Sequence, residues 1–284
     1  MSPNPSNPCA VVQALLFSAL VQHTDDSSAC PFYKNVVEQL GAARIPFAVG
    51  GAFAFAHYTS IHRDTKDLDL FLKRDDVDRA LHLLETLGYR SELTFPHWLA
   101  KVHSDSSGQF VDLIFNSGNG VAAVDDEMLT HAREVTMLGL PVKVCPPEEM
   151  IWTKAFVMER ERYDGADIAH LIHVLGGKLD WPRLLRRFGS HWRLLLVHTV
   201  LLGYIYPHER LAVPAWVMRQ LLQRFAQETR VRAVGDPVCG GTLVSREQFL
   251  VDVNHWGYVD GRLAAGVMSE EEIEAWTLAI GRPP

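Results

Sequence analysis

The chain has 284 residues, of which 48% are hydrophobic and 21% are charged, a composition typical of a globular protein with one or two domains. This composition excludes a chain that is disordered throughout. The net charge of −7 at neutral pH argues against a nucleic-acid partner, because phosphate backbones bind most strongly to basic surfaces, and it favours a small molecule or a protein instead.

The N-terminal part contains one apolar segment, residues 11–20, and no positive charge precedes it. The segment is interrupted and too short to span a bilayer, so it predicts a packed helix of a cytoplasmic protein without membrane association. The four cysteines, Cys9, Cys30, Cys145 and Cys239, are far apart and form no C-x-x-C pair. Their spacing argues against a structural zinc site and favours reduced thiols.

A helix predicted over residues 33–41 ends at a glycine and is followed by an apolar strand that begins at Ile45. This strand stops at the pair Gly50-Gly51, after which a short helical segment is expected. A glycine pair allows the backbone to approach a ligand closely, and the N–H groups at the start of the next helix favour an anion. The turn therefore indicates a binding position for phosphate groups.

The sequence Asp67-Leu68-Asp69 follows this turn after a spacer of 15 residues and opens an apolar strand. Side chains at positions i and i+2 of a strand share a face, so the two carboxylates project together. They repel each other unless a cation lies between them, and a divalent metal is the usual partner. Together with the glycine turn, the pair indicates a site for a metal-bound polyphosphate.

Asp112 is the third acidic candidate. After a helix predicted from about residue 75 to residue 88, two strands are expected at residues 98–102 and 109–115, joined by the turn S-D-S-S-G. Asp112 is the single acid of the second strand, and an acid in an apolar strand is costly to bury without a partner. We expect it to join Asp67 and Asp69, the alternative being a strand-edge aspartate that faces solvent.

A short helix over residues 125–133 and a hairpin over residues 134–144 are predicted to complete the first half. From Pro146 onward helical periodicity dominates, and we place a domain boundary there, between residues 1–145 and residues 146–284. Further helices are predicted over residues 182–188, 191–204 and 214–229. Near the C-terminus, Ser245 and Gln248 fit a capping box that would begin a helix ending at about residue 256, and Gly240-Gly241 is expected to lie in a loop.

A Gly-Gly turn, a D-x-D strand and a later acid together resemble the nucleotidyltransferase fold of the DNA polymerase beta superfamily. Residues 63–69, R-D-T-K-D-L-D, are also similar to the R-x-T-x-D-h-D form of bacterial stand-alone members, although the spacer is longer than usual. The resemblance implies an α/β (α+β) fold, with a mixed sheet that carries helices on one face. It makes residues 1–145 the catalytic domain and residues 146–284 a helical domain that closes the nucleotide cleft.

Residues 148–167 resemble a segment that follows the catalytic domain in several bacterial nucleotidyltransferases, including the abortive-infection toxin type. The matching residues are Glu148, Lys154, Arg162, Asp164 and Asp167. The resemblance makes Lys154, Asp164 and Asp167 nucleotide-binding residues, with the lysine on the phosphates and the two acids anchoring their helix near the cleft. The residues alone leave two alternatives open, a solvated Lys154 and an Asp164 that caps the helix over residues 165–175.

The resemblance implies Mg²⁺-dependent transfer of a nucleoside monophosphate from an NTP to an acceptor, with release of pyrophosphate. It makes Asp67, Asp69 and Asp112 the catalytic residues and the ligands of two Mg²⁺ ions. Backbone N–H groups of Gly50 and Gly51 would surround the outer phosphates of the NTP.

Arg63 and Lys66 would also contact phosphates, the alternative for both being a solvated loop residue. Two other functions stay open: a catalytically inactive nucleotide-binding or regulatory module of the same fold, and a toxin-like modification of tRNA or protein. The acceptor is expected to be a small molecule, as in the aminoglycoside nucleotidyltransferases, or a protein, rather than a nucleic acid.

Overall fold

The computed structural model describes residues 29–105, 108–230 and 235–280. Its central sheet is formed by seven strands, β1 (Ala48–Val49), β2 (Asp67–Phe71), β3 (Arg90–Phe95), β4 (Leu99–His103), β5 (Phe110–Ile114), β6 (Arg133–Met137) and β7 (Leu140–Val144). These pair in the order β3-β4-β5-β2-β1-β7-β6. The sheet is mixed, as predicted, because β2 is parallel to β5 and antiparallel to β1.

Helices before, between and after the strands of the sheet complete the fold. They are α1 (Ala29–Ala42), α2 (Gly51–Thr59), α3 (Arg74–Thr86), α4 (Asp126–His131), α5 (Pro147–Lys154), α6 (Gly165–Leu175), α7 (Trp181–Phe188), α8 (Trp192–Ile205), α9 (Ala215–Glu228), α10 (Leu250–His255), α11 (Gly261–Ala264) and α12 (Glu270–Leu278). A two-stranded sheet pairs β8 (Val238–Cys239) with β9 (Val259–Asp260). The helix predicted at residues 11–20 lies outside the described residues. Within those residues, no helix combines the length and the apolar content needed to cross a bilayer.

Helices α1 and α3 cover one face of the sheet, as predicted. Residues alternate along β2, so Leu68 and Leu70 point toward these helices and are fully buried. They belong to the same core cluster as Val36 of α1 and Leu84 of α3. The residues between them, including the two aspartates of β2, therefore point to the opposite face.

A second core cluster extends from the other side of the sheet into the helical half. It contains Ala48 of β1 and Phe55 of α2 together with Ile151 of α5 and Ile172 of α6. Strand β1 and helix α2 thus share a core with the helices that follow Pro146. The domain boundary at that position stays a prediction.

A buried group of ion pairs joins α5 to α7. Arg183 is 2% exposed and donates hydrogen bonds to Glu148 and Glu149, and the Nε of Arg187 lies 3.1 Å from Glu149. Burial raises the pKa of Glu149, although both arginines act against this effect. Glu148 is therefore a structural partner of Arg183.

Replacement of Arg183 by methionine is expected to lower the free energy of unfolding by about 3 to 5 kcal/mol, because it leaves the buried carboxylate of Glu148 without its ion-pair partner and removes one of the two arginines that bind Glu149. Urea denaturation would measure this loss. The matched control is Arg186→Met on the same helix, where the side chain is largely exposed and the change is expected to stay within about 0.5 kcal/mol. Equal effects of the two substitutions would contradict a stabilising role for the buried pairs.

The helix predicted from Ser245 begins instead at Leu250. The Ser245 hydroxyl does accept a hydrogen bond from the Gln248 N–H at 3.1 Å, as in a capping box. However, the Gln248 side chain donates to the carbonyl of Met158 at 3.0 Å, and the Ser245 hydroxyl donates to Glu159. The capping box is not completed because the Gln248 side chain binds a partner distant in sequence. The pair Gly240-Gly241, predicted as a loop, lies in a short 3-10 turn.

Candidate active site

Three aspartates meet on the face of the sheet opposite α1 and α3. Strands β2 and β5 pair in parallel with Asp69 opposite Asp112, so Asp67, Asp69 and Asp112 project from the same face. One carboxylate oxygen from each residue lies within 4.8 Å of the others. Asp112 is 9% exposed, which rules out the solvent-facing alternative. The structure therefore brings together the three acids that the sequence singled out.

The three carboxylates carry the same negative charge when ionised, so they repel one another. Burial and the neighbouring charges of Asp67 and Asp112 raise the pKa of Asp69 to about 7. Burial also raises the pKa of Asp112, although Lys101 acts against this effect. A cation among the three carboxylates would remove the unfavourable repulsion, and oxygen donors of this kind suit a divalent metal. The residues present fit the metal that the sequence predicted.

Gly50 and Gly51 place the start of α2 directly against β2. The Gly50 N–H donates to the carbonyl of Asp69 at 2.9 Å. Gly51 has a φ of +51°, and a Cβ there would lie 1.5 Å from Oδ2 of Asp69. A Cβ on Gly50 would lie 2.0 Å from the ring of Phe71. Both positions therefore require glycine, and the N-terminus of α2 lies beside the carboxylates, where it favours an anion.

The loop before β2 contributes Thr65, a residue to which no role was assigned from the sequence. The Thr65 hydroxyl donates a hydrogen bond to the carboxylate of Asp67 and so fixes its orientation. The signal available in the sequence was the threonine of the R-x-T-x-D-h-D pattern, two residues before Asp67. Lys66 is exposed in the same loop, and its contact with phosphate stays a prediction.

Lys154 lies in a cluster of ion pairs close to the carboxylates. Its Nζ is 2.9 Å from Asp164 and 2.7 Å from Asp167, and Arg63 donates two hydrogen bonds to Asp167. Burial would raise the pKa of Asp167, but Arg63 and Lys154 hold that pKa below its ordinary value. Lys154 also lowers the pKa of Asp69 against the larger effect of burial, so the cluster acts on this acid of the three.

The cluster decides between the alternatives that the sequence left open. Asp164 precedes α6, but its side chain makes no capping hydrogen bond and instead accepts from Lys154 and Arg162. The capping role is therefore wrong. The Lys154 side chain is 17% exposed, so it is not a freely solvated residue either. Nucleotide binding by Lys154, Asp164, Asp167 and Arg63 stays a prediction, although ion pairs join all four in one cluster.

Lys101 is the second residue that sequence reasoning missed. It lies on β4 opposite Asp112, and its Nζ donates to Asp112 Oδ1 at 2.9 Å. A lysine in the segment L-A-K-V-H of a central strand was the available signal, because a buried lysine requires an acidic partner. The identity of that partner depended on the pairing of β4 with β5.

A family model described as an uncharacterised nucleotidyltransferase matches residues 5–211, most of the chain. The chain belongs to this family. The match confirms the resemblance drawn from the glycine turn and the D-x-D strand. No curated protein matches this nucleotidyltransferase significantly.

Several solved structures show a partial likeness to this nucleotidyltransferase. The antibiotic-resistance factor ANT(2'')-Ia is 17% identical over 61% of this chain and 97% of its own, with a TM-score of 0.41. The lincosamide antibiotic adenylyltransferase LnuA, bound to lincomycin, is 13% identical over 52% and 98%, with a TM-score of 0.38. A nucleotidyltransferase-like protein from Paracoccidioides brasiliensis is 14% identical over 72% and 90%, with a TM-score of 0.40. These likenesses are distant and assign neither a substrate nor a site residue.

Proposed function

We propose that the protein transfers a nucleoside monophosphate from an NTP to an acceptor in a Mg²⁺-dependent reaction that releases pyrophosphate. The observation that carries this proposal is the convergence of Asp67, Asp69 and Asp112 within 4.8 Å of one another. The family match supports nucleotidyl transfer as the class of reaction. The glycine turn beside Asp69 supports a phosphate-bearing donor.

Asp67 and Asp69 would hold two Mg²⁺ ions, with Asp112 completing the site nearer the acceptor. When bound, these metals neutralise the charge of the triphosphate and lower the pKa of an attacking hydroxyl. The backbone N–H groups at Gly50 and Gly51 would orient the outer phosphates. Lys154 would neutralise the charge that develops on the departing pyrophosphate, and Asp112 would accept the proton of the acceptor hydroxyl.

The decisive experiment supplies the purified protein with each α-labelled NTP, Mg²⁺ and a cell extract, and follows both pyrophosphate release and the position of the label. Transfer of label to an acceptor supports the proposal. Binding of NTP by calorimetry without pyrophosphate release would instead support the alternative, a catalytically inactive nucleotide-binding module.

We expect the label to reach a small molecule or a protein, because the net charge of −7 disfavours tRNA. A cationic small molecule suits a site built around three carboxylates. Label on RNA would contradict this expectation and support the toxin-like alternative. The buried free thiols of Cys145 and Cys239 are compatible with the proposed cytoplasmic location.

Replacement of Lys154 by methionine is expected to weaken NTP binding by at least about tenfold, because a hydrogen bond from a charged donor to phosphate contributes about 1.5 to 3 kcal/mol. Calorimetry with Mg²⁺ and NTP would measure this change. Lys178→Met, at an exposed position, is the control and should bind NTP like the wild type. Unchanged NTP affinity in a folded Lys154→Met protein would contradict its predicted role.

A further inference from the structure

Lys101 is buried beside the candidate active site. It is 4% exposed, and its strand neighbours Ala100 and Val102 belong to the apolar core on the other face of the sheet. Its Nζ lies 2.9 Å from Asp112 Oδ1 and 4.1 Å from the centroid of the Phe110 ring. The ammonium group is therefore enclosed between an aromatic ring and one of the three catalytic-site acids.

The ammonium group of Lys101 forms an ion pair with Asp112. The residue opposite Lys101 on β3 is Glu92, a second acid that could compete for the ammonium group. The Glu92 carboxylate instead lies 3.3 Å from Nε2 of His103. Among the described residues, Asp112 is thus the acid that pairs with Lys101, and one of its oxygens is engaged by that hydrogen bond.

Fold stability does not require an ion pair at this position. Transfer of an ammonium group and a carboxylate from water into a protein interior is unfavourable, and a well-packed apolar pair is often at least as stable. The ion pair instead orients the carboxylate, because a carboxylate held through one oxygen presents its other oxygen in a defined direction. This property matters only if Asp112 has to be oriented for a ligand.

We infer that Lys101 is a positioning residue that fixes Asp112 within the three carboxylates. The inference rests on the proposed function, in which Asp112 completes a metal site and faces the acceptor. Each of the three acids is then held in place by a residue from a different part of the chain. The Thr65 hydroxyl binds Asp67, the backbone at Gly51 packs against Asp69, and Lys101 on β4 binds Asp112.

The test compares Lys101→Met, which keeps an unbranched side chain over Phe110, with Lys101→Arg, which keeps the charge. Mn²⁺ binding would be measured by electron paramagnetic resonance in the presence of an NTP analogue that cannot be cleaved between the α- and β-phosphates. The Met variant is expected to bind Mn²⁺ about tenfold more weakly and to lose a similar factor in kcat. KM for the NTP should change much less. The Arg variant is expected to recover Mn²⁺ binding.

Two further variants separate positioning from a general structural effect. Lys143→Met, an exposed lysine on strand β7, is the matched control and should bind Mn²⁺ like the wild type. In an Asp112→Asn background, adding Lys101→Met should produce no further loss of Mn²⁺ binding, because the residue through which Lys101 acts is already altered. An additional loss of the same size in that background would overturn the inference.

The outcomes distinguish this inference from the proposed function. A wild-type protein that neither binds Mn²⁺ with the analogue nor transfers label overturns both. A wild-type protein that does both, with a Lys101→Met variant of equal Mn²⁺ affinity and kcat, overturns only the role of Lys101. If Lys101→Met does not fold, Lys101→Gln replaces it, and wild-type Mn²⁺ affinity in that variant likewise overturns the inference.

Discussion

Asp69→Asn is expected to abolish nucleotidyl transfer, with a rate reduction of at least about a thousandfold, because the amide keeps the shape of the carboxylate but not the charge that a divalent metal requires. Pyrophosphate release from an NTP with Mg²⁺ would measure the loss. The control is Asp75→Asn, an exposed acid in the first turn of α3, which should leave the rate unchanged.

The same variant has a second expected result that excludes misfolding as the cause. The pKa of Asp69 is raised to about 7 in the folded protein, so ionisation of this residue destabilises the metal-free fold as pH rises from about 4 to about 7. In EDTA, Asp69→Asn should therefore exceed the wild type in thermal stability by several degrees at pH 8, with the difference shrinking toward pH 4. An active variant, or an inactive one that is less stable at pH 8, would contradict the assignment of Asp69.

Gly51→Ala is the second substitution with a large expected effect. Its Cβ would lie 1.5 Å from Oδ2 of Asp69, so either the carboxylate or the start of α2 has to move. Transfer is expected to fall by about a hundredfold or more, since small displacements of reacting groups have effects of this size. Denaturation and pyrophosphate release, measured on the same preparation, would separate the loss of stability from the loss of rate.

Gly139→Ala supplies the matched control for backbone strain. Gly139 also has a positive φ, +75°, but a Cβ there would meet no atom within 4 Å. This control should therefore lose only about 1 kcal/mol of unfolding free energy and keep its activity. If the two alanine variants were equally active, close approach of Gly51 to Asp69 would not matter for the reaction.

The three acids could be predicted from the sequence because each carries a local signal. Asp67 and Asp69 share a strand face by their spacing, and Asp112 is an isolated acid in an apolar strand. The contact of Lys101 with Asp112 could not be predicted, because it depends on the pairing of β4 with β5 and on the register that places Lys101 opposite Asp112. Register between strands is a tertiary property.

The errors have the same physical origin. Ser245 and Gln248 carry a valid capping signal, but Met158 and Glu159, nearly ninety residues away in the sequence, bind their side chains. Asp164 occupies the N-cap position of α6, but its carboxylate accepts a hydrogen bond from Lys154 and none from the backbone N–H groups of the helix. In both cases a local pattern lost to a charged or polar partner that the fold brings close.

One carboxylate, Asp167, is bound from two directions, by Arg63 in the loop before β2 and by Lys154 at the end of α5. The loop and the lysine are consequently immobilised relative to each other when the chain folds. In the proposed function, a nucleotide bound between them would not have to order this loop at the expense of its own binding free energy. The conformational entropy of that part of the site would then be lost in folding, and the proposed donor affinity and the fold stability would both depend on the side chain of Asp167.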